Sequence, residues 1–242
     1  MEYAVGSKAR IRFEKPSQLG DERRREVIDF LRDYSGDEEA VIAESITDCD
    51  RLILYEDSDT GQVCGTTRLK IVDLEAARKR FRALVTMSVV IAEEYRGQNL
   101  IQRAGLQSFL RYGMWTFRRV YWFSLMSGFR AYLLAARYMP DVWPHRSRSF
   151  PGRERQVYEG LLEELFGELW DRDRGVTRRY RGSMKEKQLE VPEKIRRRDP
   201  DVRYFCEQNP GYSKGEGLPV LVRLRLLSFV VMMWRMVTRR FR

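Results

Sequence analysis

The sequence predicts one α/β domain, on three observations. Strand-like apolar runs alternate with stretches of helical spacing between residues 9 and 143, 43% of the 242 residues are hydrophobic, and no linker divides them. That composition suffices for one sizeable core. Charges of both signs interleave over most of the chain, which argues against wholesale disorder.

Residues 9–13 alternate weakly and open the order as a strand. Asp21 is the expected N-cap of a charged helix that turns Val27, Ile28, Leu31 and Tyr34 inward. A second short helix covers 38–46. Residues 51–55 and 62–72 read as strands joined by Glu-Asp-Ser-Asp-Thr-Gly, whose Asp and Gly residues suit a hairpin turn. Residues 84–91 form the next strand, and helical spacing returns at Leu106, Phe109, Leu110, Gly113 and Phe117. The aromatic run 119–126 is a buried-strand candidate, 129–138 a helix stopped by Pro140, and 154–170 a further helix. Residues 171–199 read as a charged, arginine-heavy connector, and 202–205 and 218–224 as the last strands. The order is β-α-α-β-β-β-α-β-α with a helix-and-strand extension. The domain is expected over 1–224, with its core at 9–143 and the extension at 144–224; residues 225–242 are expected to form an amphipathic basic C-terminal helix.

The formal net charge of +10 favours an anionic partner: nucleic acid, a membrane surface, a phosphorylated cofactor or an acidic protein. Cys49, Cys64 and Cys206 lie far apart and His145 is the one histidine, so a metal site and a disulfide framework are both poorly supplied. Reduced thiols in a cytoplasmic protein are the expectation. The first residues lack the apolar stretch of a signal peptide, and no apolar run approaches the roughly 20 residues that span a bilayer.

The stretch from Ser88 to Gly113 joins an apolar strand, Glu-Glu-Tyr-Arg-Gly-Gln-Asn and a helix start. Unpaired amides and the positive end of a helix favour an anion there. With the element order, this stretch resembles the Gcn5-related N-acetyltransferase (GNAT) superfamily over residues 9–143. That family's loop reads Arg/Gln-x-x-Gly-x-Gly/Ala and holds the pyrophosphate of acyl-coenzyme A. The resemblance implies a mixed central sheet flanked by helices, with a cofactor site at Arg96, Gly97, Gln98, Asn99, Leu100 and Ile101. Asn99 and Ile101 depart from the pattern. Asn suits a left-handed or N-cap position; the β-branched Ile101 stands where close approach is needed. A loop imperfect for a pyrophosphate could serve the single phosphate of an acyl carrier protein's phosphopantetheine arm, as in long-chain N-acyltransferases and N-acyl amino acid synthases of this superfamily. Carrier proteins are acidic, which suits a chain at +10. Acyl-coenzyme A and acyl carrier protein both remain open as donors.

Transfer from a thioester to an amine needs a neutral amine, a stabilised oxyanion and a proton for the leaving thiolate. The resemblance places the thioester along backbone amides at Val89, Val90 and Ile91. Thr86 and Ser88 alternate onto one strand face as hydroxyl candidates. Glu94, beside Glu93, is a candidate carboxylate, with acids at a helix start as the alternative explanation. The resemblance makes Tyr138, at the end of the helix after the fifth strand, the proton donor. Trp115, Phe117, Tyr121, Trp122, Phe123, Phe129, Tyr132 and Leu133 read as core, part of which could line an acyl channel. The acceptor is a primary amine of an amino acid, peptide or protein.

Arginine concentrates in the connector, as a solvated segment or as a docking face for an acidic carrier protein; no nucleic-acid motif accompanies it. On a helix from residue 226, Leu226, Phe229, Val230, Met233 and Val237 share a face, with Arg235, Arg239 and Arg242 opposite. Such a helix lies on a membrane surface or packs on the domain. The expected location is cytoplasmic, with peripheral contact at the inner membrane surface. The competing reading is a non-catalytic module of this fold that docks to a membrane or an acidic partner.

Overall fold

The structure, a computed structural model, describes residues 8–76, 79–116, 119–178 and 190–239; Phe117, Arg242 and the arginines between 179 and 189 lie outside them. Along the chain come β1 (Ala9–Glu14), α1 (Asp21–Arg32), α2 (Glu39–Thr47), β2 (Arg51–Asp57), β3 (Val63–Ala76), β4 (Lys79–Ile91) and α3 (Leu100–Ser108). They are followed by β5 (Arg119–Met126), α4 (Phe129–Tyr138), β6 (Val142–Trp143), α5 (Gly152–Phe166), β7 (Trp170–Asp171) and β8 (Val176–Thr177). The last elements are α6 (Glu193–Arg198), α7 (Pro200–Gln208), β9 (Leu218–Leu224) and α8 (Leu226–Arg239).

Seven strands form one sheet in the order β1-β2-β3-β4-β5-β9-β6. Its pairs are antiparallel apart from β4–β5, which is parallel. A parallel pair needs a crossover longer than a hairpin turn, and α3 supplies it. The fold is therefore mixed α/β, with a central sheet flanked by helices, as expected. β5 takes an interior place, between β4 and β9, because it carries apolar bulk on both faces: Val120, Tyr121, Phe123 and Met126 are all buried.

On one face, α3, α4, α7 and α8 cover Leu69, Leu84, Val120 and Val222. On the other, α1 and α2 cover Leu52 and Leu54, while α5 lays Val157, Leu161, Leu162 and Phe166 over Phe81, Val85, Tyr121 and Phe123. Each such side chain contributes about 1.5–3 kcal/mol on leaving water, so α5 is fixed by its inward stripe.

Two expectations need correction. Residues 202–205 belong to α7, not to a strand: Asp199 accepts hydrogen bonds from the amides of Asp201 and Val202, and Pro200 opens the helix. The connector is not featureless: among its described residues it holds the β7–β8 hairpin and α6. Among the described residues the aromatic run is mostly core, as expected, with Trp115 73% exposed.

Candidate active site

β4 and β5 pair from Phe81 and Arg119 to Thr86 and Ser124, and there the pairing ends. β4 continues as Met87–Ile91 along β3, while Leu125 and Met126 of β5 pair with β9. Beyond Thr86 the two central strands no longer pair with each other and the sheet forks. The apex of the fork is braced: Ser124 Oγ donates to the Thr86 carbonyl at 2.9 Å, and Trp122 Nε1 donates to Thr86 Oγ1 at 2.7 Å.

The divergence has a local cause. Arg68 pairs with Met87 and Thr66 with Val90, so Ser88 and Val89 stand opposite the single residue Thr67. This β-bulge bends the strand, and Ser88 takes a φ of 48°, a left-handed conformation rare for a residue with a side chain. A buried arginine holds it. Arg68 is 2% exposed and donates through Nη2 to Ser88 Oγ at 2.8 Å and through Nη1 to the Ser45 carbonyl of α2 at 2.9 Å. Gly65 lets β3 close on the bulged strand, since a Cβ there would lie 2.9 Å from the Tyr55 ring and from the Val90 carbonyl.

The expectation that Thr86 and Ser88 share a face is overturned by the bulge. Thr86 meets Trp122, which packs with the α3–α4 core, whereas Ser88 meets Arg68 on the α2 side. Thr66 lies two residues from Arg68, and its buried Oγ1 has no hydrogen-bond partner among the described residues.

After β4 a single turn, Glu93–Tyr95, leads through Arg96 and Gly97 to α3. Three contacts set its path. Arg96 Nε donates back to the Ile91 carbonyl at 3.0 Å, the Lys8 amide donates to Gln98 Oε1 at 2.9 Å, and the Tyr95 hydroxyl donates to Asp57 Oδ2 at 2.8 Å. The Thr60 amide and then the Tyr95 hydroxyl hold the Asp57 carboxyl down at about 2. The hydrogen bond to that carboxylate pushes Tyr95 up to about 12. Because Asp57 is depressed, this tie persists above the ordinary carboxylate range and is lost only as pH falls through about 2.

Gly97 has a φ of 81°, with open space where a Cβ would stand. Asn99 is both left-handed, at a φ of 57°, and the N-cap of α3. The Arg103 amide is the first to bond back, to the Asn99 carbonyl at 2.9 Å. The amides of Leu100, Ile101 and Gln102 thus precede the first intrahelical bond, at the positive end of the helix. Leu100 is buried, and Ile101 is half-buried against the α3–α4 core.

The other predicted residues stand apart. Val89 and Val90 are half-buried and Ile91 buried, on the strand arm beyond the bulge. Glu94 is exposed, and its charge helps raise the pKa of Tyr34, which burial raises most. Tyr138 ends α4, half-buried, with its carbonyl accepting from Arg235 at 3.4 Å. α4 starts beside the end of β5, so its ten residues put Tyr138 about 14 Å along the helix from that end. His145 sits in a loop where burial and Arg148 lower its pKa. Among the described residues no group of three or more His, Cys, Asp or Glu side chains could hold a metal ion. Arg68 was missed, although an arginine in the apolar strand run Thr-Arg-Leu-Lys-Ile-Val is a signal that a buried polar partner is needed.

No family model matches the chain, and no curated protein matches it. Solved structures similar to it include a GNAT family N-acetyltransferase from Escherichia coli in complex with CoA, at 21% identity and a TM-score of 0.36, over 52% of this chain and 67% of that one. An acyl-CoA N-acyltransferase from Pseudomonas aeruginosa is similar at 17% identity and a TM-score of 0.33, over 48% of this chain and 78% of that one. A probable N-acyltransferase from Enterococcus faecalis is similar at 11% identity and a TM-score of 0.38, over 55% of this chain but only 34% of its own length.

Proposed function

We propose that the protein is an N-acyltransferase that moves an acyl group from a phosphopantetheine thioester to a primary amine. The observation that supports this most is the end of β4–β5 pairing at Thr86 and Ser124, between the bulge at Ser88 and the open amides of α3. In this reading the cofactor phosphates lie on the amides from Gly97 to Gln102. The pantetheine arm lies in the fork and hydrogen-bonds the Val89–Ile91 backbone. Gly97 offers the room such an approach needs, and the packing of Ile101 against the core answers its departure from the family pattern.

The neutral amine nitrogen attacks the thioester carbon, the C–N bond forms as the C–S bond breaks, and the proton that the nitrogen gives up balances the one that the leaving thiolate takes. Ser88 and Glu94 are assigned to the amine side and Tyr138 to the thiolate. The donor in this proposal is acyl-CoA or an acyl carrier protein, and a long acyl chain is its finer form. The exposed arginines of α6, Arg196, Arg197 and Arg198, offer a basic face for an acidic carrier. The acceptor is an amino acid, peptide or protein amine, and the location is cytoplasmic, peripheral at the inner membrane surface. Intact-mass spectrometry of candidate amines, with acyl-CoA and acyl-carrier donors in parallel, tests the reading. An acyl mass increment on an amine is expected; the absence of both donor turnover and donor binding would overturn it.

A further inference from the structure

α8 carries two apolar faces, and only one is used. On the inner face Phe229 and Met232 are each 6% exposed, the Phe229 ring packs tilted against Phe109 with centroids 5.4 Å apart, and Arg235 Nη1 donates to the Met139 carbonyl at 3.1 Å. Ser228 Oγ ties the start of the helix, accepting from the Arg225 amide at 3.1 Å. The helix is therefore fastened to the domain and cannot roll its other side inward.

That other side holds Leu226, Leu227, Val230, Met233, Trp234 and Val237, between 47% and 65% exposed. Their spacing of three, four and seven makes one continuous stripe. Leu224 pairs with Val120 at the start of β5, so α8 begins at the end of the sheet that the exposed Trp115 precedes. Phe229, which helical spacing groups with Leu226, Val230, Met233 and Val237, faces the core, and Leu227 and Trp234 complete the outer stripe.

Charge selects the occupant. Residues 218–242 contain six arginines and no acidic residue. One of them, Arg225, is half exposed even while paired with Asp141 at 3.6 Å. An outward apolar stripe with tryptophan, on a segment whose charged residues are all arginines, fits the boundary between acyl chains and acidic headgroups. Among the described residues no helix is long and apolar enough to cross a membrane, so the contact lies in the plane of the surface. We propose that the outer face of α8 docks the protein on an anionic lipid surface. Leu227, Val230 and Trp234 enter the interface, and Arg225 at the start of the helix meets the headgroups. This surface is argued from α8 itself and does not rest on acyl transfer.

Flotation of the full chain with phosphatidylcholine vesicles, with and without phosphatidylglycerol, tests it. Binding is expected on the phosphatidylglycerol vesicles, weakened by salt, and at least about tenfold lower for the double variant Val230→Ser, Trp234→Ser. Both side chains are exposed, so the variant's thermal midpoint should stay within a few degrees of the parent's, which separates lost binding from lost folding. The proposal is overturned if the full chain fails to float with anionic vesicles, or binds both kinds equally. It is overturned too if the double variant binds as the parent does, or if sedimentation shows that the stripe is buried in a dimer that the same substitutions dissociate.

Discussion

Arg68→Met lowers the stability of the fold by about 3 kcal/mol, read as a lower urea midpoint at unchanged slope. Methionine nearly fills the volume, so the loss comes from hydrogen bonding rather than from a cavity. Ser88 Oγ and the Ser45 carbonyl lose their guanidinium donor in a region where Arg68 itself is 2% exposed. Each acceptor left without a donor costs about 1–3 kcal/mol, and release of the charge from the interior offsets part of the sum. Arg68→Lys keeps the charge but replaces a planar fork with one point donor, so about half of the loss should return. Unchanged stability in Arg68→Met would show that the bulge is held by the β3–β4 ladder alone.

Phe205→Ala costs about 3–5 kcal/mol. The ring is fully buried and lies 5.7 Å from Tyr132 and 5.9 Å from Tyr212, so its removal opens a hole where α7 meets α4. The neighbouring Tyr204→Ala, at a half-exposed position of the same helix, should cost much less. Equilibrium urea unfolding of the two variants separates them. A strand over 202–205 would set Val202 and Tyr204 on one face and Phe205 on the other, so Val202→Ala would then cost as little as Tyr204→Ala; the helix, which buries Val202 and Phe205 together, makes it costly instead.

That helix also shows how far the sequence was legible. The pair Asp199-Pro200 is an N-cap followed by a proline at the first helical position, and reading it would have outweighed the apolar run Val202-Arg203-Tyr204-Phe205. The central strands were readable because aromatic and β-branched residues crowd β5 on both faces. The bulge was not readable. Ser88 takes a left-handed φ through a contact with Arg68, twenty residues earlier in the chain, and no local pattern encodes that pairing. For α8, periodicity gave an amphipathic helix, but apolar side chains occur on both of its faces. Only the packing of Phe229 against Phe109 tells which face is covered.

Backbone amide spectra of the full chain titrated with CoA test the central proposal most directly. The account predicts saturable shifts grouped at Gly97–Gln102 and at Met87–Ile91, and weaker binding by about fivefold to tenfold in Gln98→Glu, whose added charge repels the phosphates. Spectra that stay unchanged at millimolar CoA and at comparable acyl-carrier concentrations, or that shift only on residues away from α3 and the bulged strand, would contradict it.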